Sequence, residues 1–190
     1  MEVEIKIPLG TQNSPKQLVE NFTKKLGKPI SQVIQKDCYF QSPIENFWET
    51  DRALRIRDTI FPSKTISAEL TYKGPKQGDS LKIREELNVE IGNSENAHLL
   101  LEKLGFYLFK TIKKSRISWK YDLMTISFDI VDHLGQFLEI ELLSEKNGMD
   151  IELNREKIVL MAKDLIPEWD GIEERKSYLE LLILKGKFQE

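Results

Sequence analysis

The chain is poor in the residues from which the most recognisable sites are built. It has one cysteine, Cys38, in 190 residues, which excludes an internal disulfide and fits a reducing compartment. Its two histidines, His98 and His133, sit in no H-E-x-x-H, and no G-x-x-x-x-G-K-[ST] loop is present; neither a zincin-type centre nor a P-loop is encoded. No stretch approaches 18 apolar residues, and the acidic start Met1-Glu2 is unlike a signal peptide, so a cytoplasmic protein with no membrane partner is expected. Positive charge is also lacking: a net charge of -3 gives no general attraction to nucleic acid, which is not expected as a partner.

What the chain has is charge of both signs, 31% of residues, beside 40% hydrophobic residues. That balance and length suit a single domain over residues 1–190, able to bury a core without staples. The charge is patterned. In Met1-Glu2-Val3-Glu4-Ile5-Lys6, strand alternation puts Glu2, Glu4 and Lys6 on one face and Val3, Ile5 and Ile7 on the other. The same pattern recurs in later segments. Residues 31–41, 52–58, 67–73, 81–91, 107–121, 124–131 and 136–143 read as strands. Ser14-Pro15 starts a helix that Gly27 stops, Ser94 caps a second that Gly105 stops, and the tail is helical, with Asn154 as a cap and a stripe holding Tyr178, Leu181 and Leu182.

Eight strand-like segments with two inserted helices and a helical tail predict an α+β fold dominated by a largely antiparallel sheet. One sheet face carries Lys6, Arg55, Arg57, Lys73, Arg84, Lys114 and Arg116 together with Glu2, Glu4, Glu69, Glu86, Asp129, Glu139 and Glu141. So many charges are costly in a dry interior. A β-barrel with a wet, charged interior accommodates them, because interior and exterior positions alternate along barrel strands. The cations suit a polyanion, since guanidinium binds phosphate oxygens bidentately. The carboxylates suit a divalent cation, Mg²⁺ or Mn²⁺, which takes one or two carboxylates plus water and substrate phosphates. Acids and bases together read as a metal-triphosphate site. His98 is expected in a helix and His133 in a turn; Cys38 and the tryptophans are expected in the packing.

The ordered set Glu2-Val3-Glu4-Ile5-Lys6, Ala53-Leu54-Arg55-Ile56-Arg57, Leu70-Thr71-Tyr72-Lys73-Gly74-Pro75, Arg84-Glu85-Glu86, Lys114-Ser115-Arg116, Phe128-Asp129 and Phe137-Leu138-Glu139-Ile140-Glu141 resembles the CYTH superfamily, the triphosphate tunnel metalloenzymes. The first stretch looks like that family's E-x-E-x-K signature. The resemblance implies an eight-stranded antiparallel β-barrel tunnel with helices packed outside, binding a triphosphate with divalent metal. By resemblance Lys6, Arg55, Arg57, Lys73, Arg84, Lys114 and Arg116 hold phosphates and Glu2, Glu4, Asp129, Glu139 and Glu141 place metal, with Glu2, Glu4, Lys6, Arg57 and Arg116 as the catalytic set.

Asp37-Cys38-Tyr39-Phe40, Thr71 to Pro75 and Lys176-Ser177-Tyr178-Leu179-Glu180-Leu181-Leu182 look most like the class IV adenylyl cyclase branch. ATP conversion to cyclic AMP and pyrophosphate is therefore the expected reaction. Hydrolysis of inorganic triphosphate, thiamine triphosphate or a nucleoside triphosphate is the alternative, and a non-catalytic polyphosphate-binding module a further one. A homodimer is compatible with all three. Replacing Arg57 or Arg116 is expected to impair turnover with little loss of fold.

Overall fold

The computed structural model describes residues 2–75, 85–143 and 148–187. These form eight strands of one antiparallel sheet and four helices, an α+β fold. The chain makes two compact units: residues 1–32 with 115–190, and residues 33–114 between them in sequence. Among the described residues no helix is long and apolar enough to cross a membrane.

In the first unit β1 (Glu2–Pro8) pairs with β8 (Gly135–Leu143), which pairs with β7 (Met124–Val131), all antiparallel. Direct partners across such a ladder share a face. Ile5 is opposite Ile140 and Ile140 opposite Ile126, which makes an apolar face. Helices α1 (Pro15–Leu26) and α3 (Gly148–Leu165) bring Leu18, Phe22, Ile158, Ala162 and Leu165 to it. Phe22 meets Trp119 and Phe128 edge-on, with ring centroids 5.9 and 6.1 Å away. Each buried Leu, Ile or Phe among them contributes about 1.5–3 kcal/mol relative to exposure, so this layer fixes which face of the strands is left for charge.

The starts of the two helices differ in how well local rules foretell them. Ser14 and Gln17 form a reciprocal capping box at α1, and Gly27, at φ +85°, closes it, as the spacing predicts. Helix α3 instead begins at Gly148, and Asn154 is buried inside it and does not cap it. Asn154 stands four residues before Ile158 and eight before Ala162, on the stripe that packs inward, so its place is set by the core.

In the second unit β2 (Ser31–Gln41), β3 (Ala53–Ile60), β4 (Ile66–Lys73) and β5 (Glu86–Ile91) pair in succession, antiparallel throughout. The start predicted for β5, at Leu81, lies outside the described residues. Cys38, Phe40 and Ile56 form the buried side with Leu101 of α2 (Ser94–Lys103). Helix α2 is capped by Asn93, whose side chain accepts from Asn96 N at 2.8 Å, and not by Ser94. Strand β6 (Tyr107–Tyr121) has residues in both units. His98 lies in α2 and His133 in the β7–β8 turn at φ +65°. Trp119 is fully buried.

Candidate functional site

Opposite each apolar face is a polar one, and each unit has its own. On the first unit's ladder Lys6 is paired with Glu139 and Glu4 with Glu141, while Ser127 and Thr125 of β7 continue those rows. Lys6 is buried; its ammonium is 3.4 Å from Glu139 Oε1, donates to the Lys176 carbonyl at 3.1 Å, and lies 4.2 Å from the centre of the Tyr178 ring. Arg116 donates from Nε to Asp129 Oδ1 at 2.7 Å and from Nη2 to Asp129 Oδ2 at 2.6 Å. Its Nη2 also bonds Glu139, and its Nη1 is 4.0 Å from Glu141. Tyr178, on α4 (Tyr178–Lys187), donates its hydroxyl to Asp129 Oδ2 at 3.0 Å.

Electrostatics follow from that packing. Burial alone would lower the Arg116 pKa, but Asp129 and Glu139 raise it well above the ordinary guanidinium value, so it is a permanent cation. Burial, then the charges of Glu139 and Asp129, push the Tyr178 phenol far up, so it remains a protonated donor.

The second unit's polar face is built from rows Asp37, Arg57, Glu69 and Tyr39, Arg55, Thr71. Arg57 grips Asp37 with two parallel bonds, Nε to Oδ1 at 2.6 Å and Nη2 to Oδ2 at 2.7 Å. Burial would raise the Asp37 pKa; the Arg57 bonds and charge, with Arg55 and Lys114 behind them, outweigh it and hold the carboxyl at about 2. Arg55 donates from Nη2 to Thr71 Oγ1 at 3.0 Å and to Glu69 at 3.4 Å, and the Thr71 hydroxyl donates in turn to Glu69 at 3.0 Å. Arg55 is only 6% exposed, and among the described residues its Nε has no hydrogen-bond partner. Lys73 is ion-paired with Glu86, and Lys114 is buried.

The structure thus brings Glu4, Lys6, Arg116, Asp129, Glu139 and Glu141 to one face, and Arg55, Arg57, Lys73 and Lys114 to the other unit. Arg84 and the side chain of Glu2 lie outside the described residues. Three further groups were given no site role by the sequence reading. Asp37, Thr71 and Tyr178 each hold an arginine, directly or through a carboxylate. Asp37 and Thr71 had a parity signal. For Tyr178 the signal was Ser177-x-x-Glu180, a capping box in which Ser177 N donates to Glu180 and Glu180 N to Ser177 Oγ, fixing where the tyrosine enters the helix.

Two expectations change in detail. Arg57 and Arg116 do not stand in bare solvent; each covers a buried aspartate, Asp37 at 2% and Asp129 at 0% exposure, so replacing either must cost the fold as well. Among the described residues, no three His, Cys, Asp or Glu side chains are grouped to hold a metal. Glu4 and Glu141, facing one another in register and half-buried, still offer hard oxygen donors of the number Mg²⁺ or Mn²⁺ takes from protein, and to that extent the residues fit a divalent ion.

The CYTH domain profile matches residues 1–166. A protein of Methanocaldococcus jannaschii named "Putative adenylate cyclase" is 40% identical over 183 residues, covering 95% of this chain and 98% of that one. The solved structure of a Pyrococcus horikoshii protein is 34% identical, covers 97% of this chain and 99% of its own, and superimposes with a TM-score of 0.82. A Hippeastrum protein described as a "putative adenylyl cyclase" with "a dominant" triphosphatase activity has the same fold at 18% identity and a TM-score of 0.62, over 98% of this chain and 96% of its own.

Proposed function

The chain belongs to the CYTH domain family, and from that premise we propose that it is a divalent-metal-dependent enzyme that binds a triphosphate and converts ATP to cyclic AMP and pyrophosphate. The observation that carries the reading is Arg55, a buried guanidinium with an unpartnered Nε among the described residues. A buried donor without an acceptor costs about 1–3 kcal/mol. Phosphate oxygens supply acceptors in the planar geometry that guanidinium matches.

Lys6, Arg55, Arg57, Lys73, Lys114 and Arg116, with Arg84, are the proposed phosphate ligands. Glu4 and Glu141, with Glu2, are the proposed metal ligands. Asp129 and Glu139, which the resemblance makes metal ligands, are assigned here to hold Arg116 and Lys6, because those are the cations they touch. A bound Mg²⁺ or Mn²⁺ would polarise phosphate oxygens and offset the charge that develops on them.

In cyclisation the ribose 3′-oxygen bonds to the α-phosphorus, its proton is released, and the bond to pyrophosphate breaks. The protein's contribution is positioning and charge neutralisation by preset cations. The name of the archaeal relative, 40% identical, supports cyclisation. Hydrolysis of the terminal phosphate of inorganic triphosphate, thiamine triphosphate or a nucleotide needs the same cations, and the activity ascribed to the Hippeastrum protein makes it the second reading.

The test is anion-exchange analysis of products from ATP, thiamine triphosphate and inorganic triphosphate with Mg²⁺ or Mn²⁺. Cyclic AMP with equimolar pyrophosphate is expected. ADP with phosphate, or cleavage of inorganic triphosphate while ATP is untouched, replaces the cyclase with the hydrolase. Full turnover in excess chelator overturns metal dependence.

A further inference from the structure

Residues 174–178 lie past the part of the chain that the family profile covers, yet they bind back onto β1. Glu174 N donates to the Lys6 carbonyl at 2.8 Å, and the Lys6 ammonium returns a bond to the Lys176 carbonyl at 3.1 Å. The Ser177–Glu180 capping box then starts α4, so that Tyr178, the first helical residue, enters buried against the Phe137 ring, 5.0 Å away between centroids.

From there Tyr178 touches Lys6 directly and reaches Arg116 through Asp129. Its ring lies 4.2 Å below the Lys6 ammonium, and its hydroxyl donates to Asp129 at 3.0 Å. Asp129, wholly buried, already takes two N–H bonds from Arg116. Three donors on one carboxylate fix its plane. The plane of Asp129 in turn fixes the guanidinium and directs Nη1 toward Glu141, 4.0 Å away.

We propose that Tyr178 is a positioning residue for triphosphate binding: its hydroxyl locks the Asp129 carboxylate that orients Arg116, and its ring seats the Lys6 ammonium. The inference rests on the reading of Arg116 and Lys6 as phosphate ligands. A tyrosine required for packing alone could be phenylalanine without loss. Here the hydroxyl is spaced to meet a buried charge, and hydrogen bonds to charged groups are among the stronger ones. Because burial keeps the phenol protonated well beyond its ordinary range, the bond does not come and go with pH near neutrality.

The experiment compares full-length wild type, Tyr178→Phe, Tyr178→Leu and Arg116→Ala by calorimetric binding of inorganic triphosphate with Mg²⁺, by thermal melting, and by steady-state kinetics on whichever triphosphate is turned over. Tyr178→Phe is expected to bind triphosphate roughly tenfold more weakly, with KM raised by a similar factor and kcat changed by less than about threefold, as for lost uniform binding. Tyr178→Leu, which also removes the ring from Lys6, binds more weakly still; if it fails to fold, the phenylalanine variant alone decides. Wild-type affinity and KM in Tyr178→Phe overturn the proposal and leave Tyr178 as a packing residue. Wild-type affinity in Arg116→Ala instead overturns the phosphate-ligand reading beneath it, so the two failures are told apart.

Discussion

On the polar face of β1, β7 and β8 two cations, Lys6 and Arg116, lie among the carboxylates Glu4, Asp129, Glu139 and Glu141, whereas in the other unit the buried or half-buried Arg55, Arg57, Lys73 and Lys114 stand with the carboxylates Asp37, Glu69 and Glu86. The first face carries four carboxylates to two cations and the second four cations to three carboxylates, so the first would gain more from an added divalent ion and the second more from added phosphate. Within that contrast one device is shared. Asp129 under Arg116 and Asp37 under Arg57 are both buried carboxylates chelating one arginine through two parallel bonds. A buried aspartate here marks the arginine that must not move.

The contrast can be broken most forcefully at the arginines. Arg116→Ala strips Asp129 and Glu139 of a shared counter-ion and is expected to cost about 3–5 kcal/mol of stability in urea denaturation, since an uncompensated buried charge remains. Arg57→Ala leaves Asp37 with Arg55 and Lys114 still acting on it, so about half that loss is expected; equal losses would mean the second face has no surplus of positive charge.

Acid supplies the next test. With its pKa held at about 2 against an ordinary 3.8, Asp37 contributes about 2 kcal/mol at neutral pH. A depressed carboxyl pKa gives stability that is present above the unfolded value and lost as pH falls, here between about 4 and 2. Denaturation midpoints of wild type and Asp37→Asn should therefore converge over that interval and stay separated above it; a constant gap refutes the assignment.

The carboxylates sharpen the contrast with smaller effects. Glu141→Gln is expected to raise the Mn²⁺ midpoint of activity on the order of tenfold, as loss of a hard-cation donor should, while Glu69→Gln in the other unit leaves it unchanged. Equal shifts in both would erase the distinction. Smallest of all, Thr71→Val removes one bond to Arg55 and one to Glu69 and should cost about 1 kcal/mol, read from thermal melts.

Strand alternation made most of this architecture legible because period two is enforced by geometry. Val3, Ile5 and Ile7 went to the core and Glu4 and Lys6 to the other side, and the same held for Leu138, Ile140 and Leu142 against Glu139 and Glu141. Local caps were legible where the motif was complete, as at Ser14 and Gln17. Pairings between distant strands were not. That Asp37 faces Arg57, or that Tyr178 reaches Asp129 across 49 positions, depends on register and on helix docking, which no local period encodes. Asn154 failed for the same reason, its preference as a cap being overruled by a tertiary position on the buried stripe.

The bonds between Lys6 and residues 174–176 also set an order on how the molecule is made. Lys6 and Lys176 are separated by 170 positions, so at roughly 5–20 residues per second of synthesis Lys6 waits on the order of ten to thirty seconds for its partner to exist. The unit of residues 33–114 is continuous in sequence and is complete well before that. A growing chain therefore holds all of that unit's residues while β1 still lacks both β8 and residues 174–176. During that interval its alternating edge is an open template for pairing with another chain, which makes β1 the vulnerable strand of the nascent protein.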